Sequence, residues 1–98
     1  MPEILKEKTW RFDRYLEFVR TLPCCRCETT IDIQAHHIKG VGHFSGGALK
    51  APDWASMPVC PACHLEIHRS PSLWPLQWEW ISRTLGKWVE QLTMGILP

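Results

Sequence analysis

The 98-residue chain contains no asparagine, no charge excess beyond +1 and no long uninterrupted apolar run. Each absence narrows what it can be. A membrane span needs about 18 or more consecutive apolar residues, and the opening Met-Pro-Glu-Ile-Leu-Lys-Glu-Lys holds no apolar core of the signal-peptide kind, so a cytoplasmic protein without a membrane partner is expected. The near-neutral balance excludes the global basic field that drives strong non-specific nucleic-acid binding. Any contact with a polyanion must come from local basic residues. No G-x-x-x-x-G-K-[ST] order is present, which removes a nucleotide-binding loop, and no repeat or linker divides the chain, so residues 1–98 read as one domain.

What the chain does have is ligand chemistry. Five cysteines suit zinc in a reducing compartment better than a disulfide scaffold, which uses an even number. Cys24 and Cys27 make one C-x-x-C, Cys60 and Cys63 a second some thirty residues on, and paired knuckles of this kind form a four-cysteine site for structural Zn2+. Cys25 is left over as a small packed or exposed thiol. In the segment Cys60-Pro-Ala-Cys-His-Leu-Glu-Ile-His68 four of nine residues are potential ligands. His64 and His68 stand four apart, on one face of a helix. One tetrahedral ion cannot easily take both adjacent Cys63 and His64 together with the C-x-x-C turn, so the segment asks for two separate metal sites.

The remaining pattern is that of a small α+β protein. Phe12, Tyr15, Leu16, Val19 and Leu22 recur at helical intervals within an N-terminal helix over 9–22, stopped by Pro23. Arg11, Arg14 and Arg20 lie mostly off that stripe and read as a solvated face, with phosphate contact as the alternative. Residues 29–38 alternate as a half-buried strand that reaches His36-His37. A glycine-rich loop follows over 39–47, where His43 is either a plain loop histidine or a phosphate contact. A return strand near Ser56 to Val59 leads into the ligand-bearing helix, making a ββα core over 23–70. A C-terminal helix over 72–94, opened by Ser72 with Pro75 in its first turn, carries the stripe Trp74, Trp78, Ile81, Leu85, Trp88 and Leu92. Trp80 falls off this stripe and is expected to be exposed.

The order His36-His37, then Cys60-x-x-Cys63-His64-x-x-x-His68, resembles the HNH (ββα-metal) endonucleases. Within that class the run from Leu22-Pro-Cys-Cys-Arg-Cys through His36-His37-Ile to Lys50-Ala-Pro-Asp53 and Met57-Pro-Val-Cys-Pro-Ala-Cys-His64 looks like the phage recombination-enhancement (Ref-like) nucleases. The resemblance implies a zinc-stapled ββα-metal core between two flanking helices, with His36, His64 and His68 holding a catalytic divalent ion (Mg2+, Mn2+, Ni2+ or Zn2+) and His37 as general base. It further implies DNA as substrate, cut with little sequence specificity, a recombinase filament as partner, and a phage or prophage origin in a bacterial host cell. Relatives orient the base with a middle asparagine. This chain has none, and Asp53 stands nearest that position. Lys39, Lys50 and Arg69, with His43, are the candidate nucleic-acid contacts.

Two other readings compete. A zinc protease has His-Glu-x-x-His, but here Leu65 occupies the glutamate position and Glu66 is turned from the ligand face. A non-catalytic zinc-binding adaptor contacting DNA or a recombination protein accounts for the cysteines but leaves four histidines without a common purpose.

Overall fold

A computed structural model describes residues 10–39 and 51–95. Over these residues it is a small α+β structure with three α-helices and one two-stranded sheet, in the order α1 (Asp13–Arg20), β1 (Gln34–His37), β2 (Ser56–Val59), α2 (Pro61–Arg69), a 3-10 helix (Pro71–Leu76) and α3 (Gln77–Met94). No helix among the described residues is long and apolar enough to cross a membrane.

Helix α1 is shorter than the 9–22 stripe suggests. Phe12 is extended at its N-cap (φ −153°), because the chain before it is tied elsewhere: the Trp10 carbonyl accepts from the Asp53 N–H at 3.0 Å. Asp13 in its first turn and Arg20 in its last complement the helix dipole. Tyr15 and Val19 are buried, and Phe12, Tyr15 and Phe18 meet the Trp88 ring of α3 edge-on, with centroids 6.0, 5.4 and 5.1 Å away.

Strand β1 begins only at Gln34, which corrects the expected strand from Thr29. Ile31 is 69% exposed, and Glu28 and Asp32 take left-handed backbone conformations (φ 67° and 56°) that a regular strand cannot contain. The alternation in 29–33 belongs instead to a turn folding the chain around the first knuckle, where the Cys24 N–H donates to the Thr29 carbonyl at 2.8 Å. Strands β1 and β2 are antiparallel, with His36 opposite Met57 and His37 opposite Ser56. All four residues of β2 are buried, since α1 and α3 both pack on it.

Helix α2 starts abruptly. Cys60 is its N-cap, with Sγ 3.5 Å from the Cys63 N–H, and Pro61 fills the first position, where a missing N–H costs nothing. Cys63 and Ile67 face inward, which places His64 and His68 together on an adjoining face.

The principal core joins Ile38, Ala51, Ala55, Met57, Val59, Ile67, Trp80 and Ile81. Trp80 is only 6% exposed while Trp78 is 40% exposed and Leu92 46%, the reverse of the expectation for Trp80. The inward face of α3 is Gln77, Trp80, Ile81 and Thr84. Two of these four are polar, so the hydropathy stripe points beside the buried face. Thr84 resolves its own polarity by donating to the Trp80 carbonyl at 2.8 Å, and Gln77 does so through the bonds described below. Truncating Trp80 to Ala is therefore expected to destabilise the fold by about 3–5 kcal/mol, whereas Leu92→Ala should stay within about 0.5 kcal/mol. Denaturant unfolding of the two variants checks this, and equal losses would contradict the assignment of the buried face.

Candidate metal centres

Cys24, Cys27, Cys60 and Cys63 bring their sulfurs within 4.8 Å of one another. A tetrahedral site with Zn–S near 2.3 Å needs sulfurs about 3.8 Å apart, and the Cys27 and Cys60 sulfurs are 3.6 Å apart. The four cysteines thus form a cluster that fits a zinc ion. Three of the four are buried, with Ile33 packed against them, and only Cys27 is exposed. Burial raises the Cys24 thiol, but hydrogen bonds from the Cys27, Arg26 and Cys60 backbone outweigh it and bring it down to about 6. At Cys63 burial dominates and pushes the thiol up to about 12, opposed by the Arg26 guanidinium, which donates to its sulfur at 3.8 Å. Cys25 stays outside the cluster. Its thiol packs on the main core and burial, reinforced by Cys24 and Cys63, pushes it up to about 12; its N–H donates to the Pro58 carbonyl at 2.8 Å, pinning the knuckle to β2.

A second cluster lies where β1 meets α2. The ligand nitrogens of His36, His64 and His68 fall within 4.8 Å of one another, with His64 and His68 Nε2 2.9 Å apart. His36, from the strand, is 8% exposed, and its Nε2 is buried with no hydrogen-bond partner among the described residues. A buried polar atom without a partner is costly, and this one sits beside two further imidazoles, a donor set that can hold a metal ion. Burial, then His64 and His68, draw His36 down to about 4, so its ring is neutral at physiological pH, the form that ligates.

His37 points the other way, as strand alternation requires. Its Nε2 lies 2.9 Å from Asp53 Oδ1. Asp53 itself is buried and fully engaged: Oδ1 also accepts from Arg11 at 3.0 Å, Oδ2 accepts from the Phe12 N–H at 2.7 Å, and its carbonyl accepts from Ser56 Oγ at 2.6 Å. Burial would raise this carboxyl, but the bonds from His37, Phe12 and Arg11 together hold it below its usual value. Three donors converge on two oxygens. An acceptor-only carboxylate satisfies all of them, whereas an asparagine would turn its NH2 toward one.

Of the candidate nucleic-acid contacts, Arg69 is exposed in the last turn of α2, and Lys39 Nζ lies 5.9 Å from the Trp74 ring centre. His43 and Lys50 fall outside the described residues. Sequence reasoning missed two side chains. Arg11, read as solvated, bonds Asp53 and the Ala51 carbonyl at 2.8 Å; nothing in its neighbourhood announces a partner some forty residues away. Gln77, the first residue of α3, is fully buried and holds the backbone of Lys39; its signal is a polar residue three positions before Trp80 on the inward face.

Two outcomes follow from this geometry. Cys60→Ser or Cys63→Ser should unfold the protein, since structural zinc contributes roughly 10–16 kcal/mol in small modules, while chelation of the histidine site should leave the far-ultraviolet circular dichroism unchanged; a native spectrum for either serine variant would contradict a structural role for the cysteines. For Asp53, the folded pKa lies below the unfolded one, so its contribution is complete above pH ~4 and is lost as pH falls through the folded value. Asp53→Asn should cost about 1–3 kcal/mol at neutral pH, and the difference from wild type should narrow below pH ~4. Denaturant melts across pH 3–7 read this directly, and a gap of constant width would refute it.

Comparison with known proteins places the chain. No solved structure matches it. A protein of Escherichia coli strain K12, the uncharacterized protein YdfU, is 36% identical over 64 residues, 64% of this chain and 18% of that protein, so the chain spans less than a fifth of its relative's length. The family described as "Protein of unknown function (DUF968)" matches residues 3–91, nearly the whole sequence, and the chain belongs to that family.

Proposed function

We propose that this protein is a metal-dependent endonuclease of the HNH type, hydrolysing DNA phosphodiester bonds with little sequence specificity, in the manner of the phage recombination-enhancement nucleases. The observation that carries the proposal is the division of labour between two adjacent strand residues. His36 converges with His64 and His68, while His37 faces away and is bonded to a buried carboxylate. Two antiparallel strands followed directly by a ligand-bearing helix are the arrangement that the resemblance to ββα-metal nucleases implies, and this supports the reading further.

A divalent ion held by His36, His64 and His68 would neutralise charge that develops on the phosphate and the leaving oxygen. The protein supplies the rest. Ionised Asp53 accepts the Nε2–H of His37, so the lone pair lies on Nδ1, from which the imidazole takes a proton from the attacking water. Arg11 and the Phe12 N–H keep Asp53 fixed and ionised. With its orienting carboxylate anchored on both oxygens, the ring is held in one tautomer, the role that asparagine plays in relatives. In this reading Lys39 and Arg69 are the candidate cations for the flanking phosphates.

The two adjacent histidines should fail differently. His36→Ala removes one of three ligands and should lower metal affinity at the histidine site by at least about tenfold. His37→Ala should leave that affinity nearly unchanged and slow single-turnover cleavage by roughly 10²–10⁴-fold. Calorimetric titration and cleavage of supercoiled, single-stranded and recombinase-coated DNA on both variants decide the matter. Undiminished cleavage by His37→Ala would end the general-base assignment, and a wild-type protein that binds metal but cuts none of the substrates across magnesium, manganese, nickel and zinc would favour the adaptor reading.

A further inference from the structure

Pairing of β1 with β2 runs out at His37, opposite Ser56, and one further bond carries it on, from the Ile38 N–H to the Ala55 carbonyl at 2.8 Å. Lys39 is the first residue past the sheet, yet its backbone is paired through both its N–H and its carbonyl. Gln77 Oε1 accepts from the Lys39 N–H at 2.9 Å and Nε2 donates to the Lys39 carbonyl at 2.6 Å, so one carboxamide stands where a partner strand would. Nε2 also donates to the Trp74 carbonyl at 3.0 Å. The orientation of this carboxamide is fixed, because a backbone N–H only donates and a carbonyl only accepts. Gln77 is fully buried, which shields the grip from water.

The Lys39 side chain is held by the same unit. Nζ lies 5.9 Å from the centre of the Trp74 ring, inside the roughly 6 Å range of a cation–π contact, and that ring is itself fixed, since its Nε1 donates to the Ile67 carbonyl at 2.8 Å. Ile67 adjoins His68 in α2. The ammonium is thereby tied to both elements that carry the histidine cluster: through its own backbone to β1, three residues after His36, and through Trp74 to the end of α2. No carboxylate among the described residues forms an ion pair with it.

We propose that Lys39 is the phosphate-binding cation beside the histidine cluster and that Gln77 is the residue that positions it. The proposal rests on the nuclease reading above and commits it to one cation with a defined support. A lysine ammonium rides on a flexible four-carbon stem, so fixing its backbone and resting its head on an aromatic ring reduces what substrate binding must order. The support comes from a residue 38 positions away in sequence, at the first turn of α3.

The test uses full-length protein with zinc on the cysteines and no ion on the histidines, so that DNA binding is read apart from cleavage. Fluorescence anisotropy against one labelled DNA duplex, over a series of potassium chloride concentrations, is the readout. Lys39→Met keeps the stem and removes the charge; it should weaken binding about tenfold and lower the slope of log affinity against log salt by about 0.9, the loss of one phosphate contact. Gln77→Leu, shown to be folded by circular dichroism, should weaken binding in the wild-type background and change it by less than about twofold in the Lys39→Met background. A glutamine with a purely structural role would weaken both backgrounds by the same factor, and that result overturns its positioning of Lys39. An unchanged salt slope in Lys39→Met overturns the proposal whether or not Gln77→Leu folds. Wild-type protein that gives the expected binding results yet cuts DNA with no divalent ion would count against the nuclease reading and not against this one, and cleavage alongside an unchanged slope in Lys39→Met would do the reverse.

Discussion

The convergence of four cysteine sulfurs is the constraint on which the rest of this small structure depends. A chain of this size buries too little apolar surface to be generous with stability, and here one of the two buried clusters among the described residues is made of Cys24, Cys60 and Cys63 with Ile33. Joining residues 24–27 to residues 60–63 closes a long loop containing both strands and fixes where α2 begins. Cys60 serves twice, as a member of the cluster and as the N-cap of α2. The start of α2 in turn dictates the angular position of His64, one residue beyond Cys63, and of His68 one turn later. The histidine cluster therefore inherits its geometry from the cysteine cluster.

The two knuckles were legible in the sequence because metal-ligand spacing is a local code: C-x-x-C is read within four residues, and the pair of knuckles is recognised without knowing what lies between. Strand β2 was also legible, as was the i, i+4 placement of His64 and His68. The extent of β1 was not. Ile31 and Ile33 alternate with polar neighbours, but the chain must bend around Cys24–Cys27, and the positive φ angles of Glu28 and Asp32 occur at residues with no glycine to announce them. On α3 the hydropathy pattern failed for a different reason. Its buried face includes Gln77 and Thr84, each with internal hydrogen-bond partners, and a polar residue satisfied in the interior looks the same in sequence as one facing water. Trp80 and Trp78 exchanged places accordingly.

The candidate site divides along the same line. Residues that carry chemistry by type, the cysteines and histidines, stand out in the sequence. Residues that act by holding them do not. Arg11 lies among other arginines on the edge of a helical stripe, and only the fold brings it to Asp53. Asp53 was noticed because it stands near the place of an asparagine in the ββα-metal nucleases that the sequence resembles, yet why it is an aspartate follows only from the three donors that surround it.

The histidine pair makes the difference between the two kinds of support explicit. His36 and His37 share a strand, a side-chain type and one peptide bond, yet one is buried beside two further imidazoles and the other meets a charged carboxylate. In the proposed reading this asymmetry is functional. A ligand to a cation must present a lone pair without carrying extra charge into a site already bordered by two imidazoles, and burial, the largest cause of its lowered pKa, keeps His36 neutral. A general base must instead become positively charged during the reaction, and an anion on its far nitrogen stabilises that imidazolium. Exchanging the surroundings would strengthen ligand charge where neutrality serves and weaken basicity where charge develops. Strand alternation separates the two rings, but it is the imidazoles of α2 on one side and Asp53 on the other that make them chemically different.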